Sequence, residues 1–398
     1  MATQAVRTQF RVFCGGTEGT TFHDVSMLYE GNGRMESVKR PLRVCLLTGG
    51  GDAPGLNAAV RAFVHIATRR DVLVYASRYG FEGLLGSEPV MPLRIEDVRG
   101  ILPRGGSILG CSTGSNPFAV PTDHAAVTDA TAKVRARLLE LGVDALVLAG
   151  GDGTMNIAAR LEELGVRCVG IPKTIDGDLG GTEQTCGIDT AVETATHAID
   201  ALHSTAESHQ RVMIVEVMGR HAGWIALRAG IAGGADVVLI PEVPFEPARV
   251  VLKIRERESL GLRFSIIVIG EGARPVGGAE SDLEAQRPGH PARLGGAGEA
   301  LARSLRALDV HHDVRVTVLG HLQRGGSPTA SDRLLATRFG AHAANLCAER
   351  RFGRMVSLRG GSVDSVPIAE VSRSELRVDP RGELAGCARA MGIELGAA

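Results

Sequence analysis

The chain has 398 residues, 44% hydrophobic and 22% charged, with a formal net charge of −1, which bounds it to a globular protein of two or three domains and excludes disorder for most of its length. Balanced charge and only 4% aromatic residues argue against nucleic acid or an anionic membrane as partner. No apolar run reaches the ~20 residues that span a bilayer, and seven scattered cysteines without a CxxC pair or zinc spacing read as reduced thiols of a cytoplasmic protein.

Residues 1–40 lack periodicity and are rich in Gly, Thr and charge, so they read as an irregular N-terminal extension. Arg7 and Arg11 precede any acid, as in a transit peptide, but acids and glycines soon follow. Met35, just before the first strand signal, offers an alternative start.

From Arg43 the pattern becomes regular. "RVCLLT" (43–48) ends in glycines, and "LNAAVRAFVHIATRR" (56–70) reads as a helix. Further strands are predicted at 71–77, 143–150, 166–171, 211–217, 236–240, 264–270 and 315–320. Most are near-continuously apolar, as expected of parallel strands covered on both faces. Helical patterns separate many of them, the clearest at 188–202, where Ile188, Val192, Ala195, Ile199 and Leu202 recur every three or four residues. The alternation predicts an α/β fold with largely parallel sheets and helices on both faces. Ligands then bind beyond the carboxyl ends of the strands. Residues 274–296, rich in Gly, Pro and charge, look like a surface insertion.

The unusual loops fall at those strand ends. In "TGGGDAPGLNAAVR" (48–61), Gly49, Gly50 and Gly51 let the backbone approach an anion at a helix start. The stretch is neither GxxxxGK[ST] nor GxGxxG, and a tight structural turn explains it equally. "LAGGDGTMN" (148–156) repeats the strand–glycine–helix arrangement with Asp152 between glycines. There its carboxylate can face a Mg²⁺–phosphate complex, since Mg²⁺ takes one or two carboxylates plus phosphate oxygens and water. NAD kinases and lipid kinases carry a similar "GGDGT". In "PKTIDGDLGGTEQT" (172–185), an extended backbone would point Thr174, Asp176 and Asp178 the same way. One carboxylate would then take a proton from an attacking hydroxyl while the other holds Mg²⁺ or tunes the first. An Asx-type turn capping the next helix is the competing reading. Arg211, Arg220, Arg315, Arg324 and His321 lie at or beside strand ends, where guanidinium forks suit a second phosphate on an acceptor.

Taken together, "GGGDAPGLNAAVR", "GGDGT", "PKTIDGDL", "VEVMGR" and "LGHLQRGGSP" resemble the phosphofructokinase family in order and spacing, over roughly Leu42 to Ala390. The resemblance implies a two-lobed fold and phosphoryl transfer to the 1-hydroxyl of fructose 6-phosphate. Residues 41–187 plus 324–376 would form the donor lobe, and 188–323 plus 377–398 the sugar-phosphate lobe. Gly50 and Gly51 would cradle the donor phosphates, Asp152 would bind Mg²⁺, and Gly153 and Thr154 would line the donor site. Asp176 would be the base, with Thr174 and Asp178 beside it. Met218, Gly219, Arg220 and Glu271 would hold the sugar, and His321 and Arg324 its 6-phosphate. Arg211 and Arg315 would reach the 6-phosphate from a neighbouring subunit, implying a homo-oligomer with shared sites.

Some positions depart from the family pattern. Gly177 replaces an asparagine, Thr113 stands where many members place a donor-site arginine, and the first helix carries Arg61 and His65 where regulated bacterial members often have two arginines. "LGGAGEALA" (294–302) is similar to a subgroup that uses either ATP or pyrophosphate. Pyrophosphate users typically carry aspartate at the position of Gly153 and lysine at that of Lys173, whereas many bacterial ATP users have glycine at both. The pair Gly153 with Lys173 favours ATP, because a carboxylate at 153 would fill the path of the α-phosphate. A pyrophosphate-dependent enzyme is the alternative. A non-catalytic regulatory subunit would be expected to have lost Asp152 or Asp176, and both are present.

Overall fold

The computed structural model describes residues 7–14, 21–29, 35–38, 40–121, 127–284, 293–371 and 374–397, with side chains from Arg40 onward except at 282–284 and 293. Its larger sheet contains β1 (Leu42–Thr48), β2 (Val72–Ser77), β3 (Val90–Pro92), β4 (Ala145–Gly150), β5 (Cys168–Thr174), β10 (Arg354–Arg359) and β11 (Ser362–Pro367), in the order β11-β10-β5-β4-β1-β2-β3. Pairing is parallel from β10 to β2 and antiparallel only at the two edges.

The apolar runs are continuous because both faces of these strands are covered. In β4, Val147 and Ala149 pack with helices α1 (Leu56–Arg69) and α8 (Ala330–Ala348), while Leu146 and Leu148 pack with α2 (Thr131–Leu141) and α3 (Asp152–Glu163). Helices α1 and α8 approach closely at Gly340, where a Cβ would stand 2.1 Å from the Ala59 carbonyl oxygen.

The order places β1 beside β4 although β2 and β3 intervene in sequence. The loop leaving β1 turns toward one face of the sheet and the loop leaving β4 toward the other. Such a switch point opens a crevice at the carboxyl ends, where ligands bind in α/β sheets. Both glycine-rich loops border it.

A second, wholly parallel sheet has the order β7-β8-β6-β9, from β6 (Val212–Val217), β7 (Val237–Leu239), β8 (Ser265–Gly270) and β9 (Val314–Val318). Helices α4 (Ile188–His209) and α5 (Trp224–Ala232) cover one face, and α6 (Pro247–Ser259) and α7 (Ala297–Ala307) the other. Residues just beyond β6, β8 and β9 line the same cleft as the glycine loops, so the carboxyl ends of the two sheets face one another.

The extension is not irregular throughout. Arg7–Cys14, Thr21–Tyr29 and Met35–Val38 form a small antiparallel sheet, pairing Arg7 with Leu28 through Cys14 with Thr21. Phe10, Val12 and Cys14 alternate along the first of these strands, a short period-two pattern within a stretch otherwise rich in Gly, Thr and charge. In the insertion, Asp282–Glu284 pairs with Arg293–Leu294, and residues 285–292 lie outside the described residues. No helix among the described residues is long and apolar enough to cross a membrane.

Candidate active site

The facing sheet ends enclose a cleft of about 1070 Å³. Gly49, Gly50 and Gly51, which follow β1, line one end of it. Gly50 sits at φ 72, in the left-handed region that favours glycine. Lys173 near the end of β5 is buried, and its Nζ donates to the carbonyl oxygens of Gly49 at 3.1 Å and of Gly51. Burial lowers its pKa. The lysine therefore props the glycine loop from beneath. Helix α3 begins at the cleft, with Asp152 and Gly153 exposed in its first turn and Asn156 Nδ2 donating to Asp152 Oδ1 at 2.9 Å. A Cβ on Gly153 would meet nothing within 4 Å.

The acidic stretch is not extended as its alternation suggested. Strand β5 ends at Thr174, whose Oγ1 accepts from the Asp176 amide at 3.0 Å. Gly177 has φ 71, and a Cβ there would come 2.5 Å from Ile188 Cδ1 and 3.3 Å from Trp224. The asparagine of the family pattern would have to displace the end of the Ile188 side chain, and glycine makes the turn without that shift. Thr174, Asp176 and Asp178 nevertheless all line the cleft. Asp176 is 6% exposed, and its Oδ1 is buried with no hydrogen-bond partner among the described residues. Burial raises its pKa, opposed by the charges of Arg324, Arg220 and Lys173. Burial and then the charge of Asp176 push Asp178 up to about 6. The Asp152 carboxyl is also raised, first by burial and then by Glu375.

At the other end, Met218, Arg220, Glu271, His321 and Arg324 line the cleft. Arg220 holds φ 50, and its amide donates to Glu271 Oε1 at 3.0 Å. Burial pushes Glu271 up to about 7. His321 and Arg324 lie on the 3₁₀ turn Gly320–Arg324 after β9. A Cβ on Gly51 would stand 2.0 Å from Arg324 Nη1, so this guanidinium reaches across to the donor loop. The Arg324 Nε is buried and without a partner among the described residues. Gly219 does not itself line the cleft; at φ 136 it makes the turn that presents Arg220.

Arg211 and Arg315 do not join this cluster. They sit at the amino ends of β6 and β9, where both Nε atoms donate to Asp313 Oδ2, at 3.0 and 2.9 Å. Proximity to a strand end did not distinguish which end of the strand it was.

Other residues carried weaker signals or none. Glu216 is a lone acid inside an apolar strand, which is a readable anomaly. It is buried and accepts from the amides of Gly296 at 2.9 Å and Gly298 at 2.8 Å, tying the insertion to the cleft floor. Asp332 in α8 is fully buried and accepts from the amides of Gly187 at 2.7 Å and Thr190 at 2.8 Å, fixing the start of α4 behind the acidic loop. His221 lines the cleft with its Nδ1 3.1 Å from Glu280.

No group of three His, Cys, Asp or Glu side chains among the described residues is arranged to hold a metal. Mg²⁺ does not require such a cage, because it keeps water and takes phosphate oxygens. Asp152 and Asp178 supply hard oxygen donors, and the mutual repulsion of the acids is what a cation would relieve.

The family model described as phosphofructokinase matches residues 43–347. The chain is 49% identical to the ATP-dependent 6-phosphofructokinase of Chloroflexus aggregans, over 89% of this chain and 98% of that one. It is also 48% identical to the pyrophosphate–fructose 6-phosphate 1-phosphotransferase of Streptomyces coelicolor, over 85% and 97%. Among solved structures it matches phosphofructokinase from Saccharomyces cerevisiae at a TM-score of 0.70 and 31% identity, covering 83% of this chain and 45% of the yeast chain. Cleft, sheet order and sequence agree, and the chain belongs to the phosphofructokinase family.

Proposed function

We propose that this chain transfers the γ-phosphoryl group of ATP to the 1-hydroxyl of fructose 6-phosphate, giving ADP and fructose 1,6-bisphosphate. The observation that carries this reading is the unpartnered, buried Asp176 oxygen, set between a glycine-lined donor end and an end lined by Arg220 and Glu271. A carboxylate oxygen with no partner in a desolvated cleft is costly unless a substrate donor completes it.

In this mechanism Asp176 accepts the proton of the 1-hydroxyl. The sugar oxygen bonds to the γ-phosphorus as its bond to the β–γ bridging oxygen breaks. Lys173 holds the glycine loop whose amides, with those at the start of α3, face the donor phosphates. Arg324 lies against that loop, where a guanidinium can neutralise charge on the transferred group. It serves in place of the arginine that Thr113 lacks. Mg²⁺, held by Asp152 with Asp178 nearby, would neutralise the donor phosphates. Met218, Arg220 and Glu271 hold the sugar and His321 its 6-phosphate, whereas Arg324, which the resemblance also assigns to the 6-phosphate, lies against the glycine loop. Arg211 and Arg315, outside the chain's own cleft, serve the site of a neighbouring copy in a cytoplasmic homo-oligomer.

Pyrophosphate is the second reading, favoured by the Streptomyces coelicolor relative. Two positions bear on the choice. Lys173 spends its donors on the Gly49 and Gly51 carbonyls, a role that either donor requires. Gly153 opens on free space in the cleft, so an aspartate there would stand in the donor's path without disturbing the fold.

Three outcomes are expected. Asp176→Asn should lower kcat by ~10² to 10⁴ with little change in KM for the sugar phosphate; near-normal turnover in steady-state assays would remove Asp176 from the role of base. Gly153→Asp should fold normally but lose most ATP use, since unit charges ~4 Å apart repel by up to about 4 kcal/mol at an effective dielectric of ~20. Retained ATP turnover would show that this position does not gate the donor. Glu271 concerns stability. Its carboxyl is raised from an ordinary 4.5 to about 7, so the folded state holds its proton more tightly. Its ionisation then costs nothing below 4.5, a growing amount between 4.5 and 7, and a constant amount above. Glu271→Gln can still accept the Arg220 amide. It should therefore stabilise the fold at pH 8 by on the order of 3 kcal/mol, read as a higher Tm, an effect that fades toward pH 4.5, while weakening sugar binding. Parallel Tm–pH curves for variant and parent would contradict the burial of that charge.

A further inference from the structure

A closed circuit of bonds joins the insertion to the end of the cleft that holds Arg220. It starts on β6, where Glu216 accepts from the amides of Gly296 and Gly298. The Gly295 amide donates to the Ser281 carbonyl at 3.0 Å and so ties the two arms of the insertion together. Glu280, the chain neighbour of Ser281, reaches back to the turn after β6, with its Oε1 3.1 Å from His221 Nδ1. That turn is closed by the Ala222 amide, which donates to the Gly219 carbonyl at 2.9 Å. It sets Arg220 and His221 side by side, and both line the cleft together with Gly295.

A clasp between turn and insertion accounts for only one of the two ring nitrogens. A carboxylate accepts and does not donate, so Nδ1 carries the proton of the bond to Glu280. The partner of one imidazole nitrogen sets the tautomer, and in the neutral ring Nε2 is left with its lone pair. Nε2 has no hydrogen-bond partner among the described residues, and the His221 side chain is 43% exposed. A phosphate at this end calls for cationic donors such as the Arg220 guanidinium. A ring nitrogen that accepts, backed by a carboxylate, suits a hydroxyl donor instead.

We propose that His221 is a specificity-determining residue of the acceptor site: clasped by Glu280, its Nε2 accepts a hydrogen bond from one hydroxyl of the sugar phosphate. The inference rests on the phosphoryl-transfer reading above and adds to it a residue that reads the sugar itself. A site built to bond a hydroxyl discriminates against the analogue that lacks it, because its own polar atom is then left unpaired. One such bond changes affinity by about 3- to 10-fold. The carboxylate of Glu280 acts through His221 and is a positioning group.

The test is isothermal titration calorimetry of the full-length protein at pH 8 with fructose 6-phosphate and with its monodeoxy analogues, one hydroxyl removed at a time. His221→Ala should weaken fructose 6-phosphate about 3- to 10-fold with an unchanged melting curve, and KM should rise by the same factor while kcat stays near the parent value. For one deoxy analogue, parent and His221→Ala should bind equally, because the lost partner and the lost hydroxyl are the same interaction. Glu280→Ala should weaken fructose 6-phosphate as His221→Ala does, and Glu280→Gln should restore it, since its carboxamide oxygen still accepts from Nδ1. If His221→Ala binds fructose 6-phosphate as tightly as the parent, or loses the same factor against every deoxy analogue, the reading of a hydroxyl by His221 is refuted while the phosphoryl-transfer reading stands. If the parent binds no fructose 6-phosphate, both fall together.

Discussion

Desolvated negative charge at the meeting of two sheets is the constraint on which the rest of the cleft depends. Asp176 is buried with one oxygen unpartnered, Asp178 is raised to about 6 by burial and by Asp176, and Glu271 is raised to about 7 by burial. A chain selected for stability alone would not gather these groups. The protein partly balances them with Arg220, Arg324 and Lys173, and the proposed phosphoryl transfer would supply the remainder as a cation and the proton of an incoming hydroxyl. The surrounding order exists to hold that arrangement open. Asp332 anchors the start of α4 behind the acidic loop, and Glu216 anchors the insertion at the cleft floor.

The two lobes divide the work according to what their strand ends can present. The first sheet offers bare backbone: glycine amides at two helix starts, kept in place by a lysine whose ammonium is consumed by carbonyls. Bare backbone suits a polyphosphate, which needs amides and room rather than a shaped pocket. The second sheet offers side chains that discriminate, with Arg220 locked at a positive φ by Glu271. Arg324 crosses between the two, lying against Gly51 although it follows a strand of the second sheet. Close approach at that point is feasible only because residue 51 has no side chain.

Much of this was legible in the sequence because it is local. Continuous apolar runs imply strands covered on both faces, and in β4 the alternate residues do divide between two cores. Glycine and acid at strand ends mark a ligand crevice, and Gly50, Asp152, Thr174, Asp176 and Asp178 meet there. The failures have physical causes. The acidic stretch has a period of two in sequence, but the left-handed Gly177 breaks that period, and a side chain there would crowd Ile188. Arg211 and Arg315, which the resemblance gives to a neighbouring copy's site, lie at the opposite ends of β6 and β9 from Arg220 and Arg324, and composition near a strand does not say which end a residue holds. Glu375 is far from the acidic stretch in sequence and joins it through a backbone bridge to Leu179, a contact set by tertiary structure alone. The N-terminal strands escape notice because the alternation of Phe10, Val12 and Cys14 is short and lies within a stretch rich in Gly, Thr and charge.

The central claim is that a cleft shaped by Gly153 and a lysine-propped glycine loop passes a nucleotide to Asp176. It is tested most directly with the purified full-length protein, by comparing initial rates of fructose 6-phosphate phosphorylation with MgATP and with magnesium pyrophosphate at matched saturation. The account predicts rapid turnover with ATP and little or none with pyrophosphate. Turnover much faster with pyrophosphate than with ATP would contradict it.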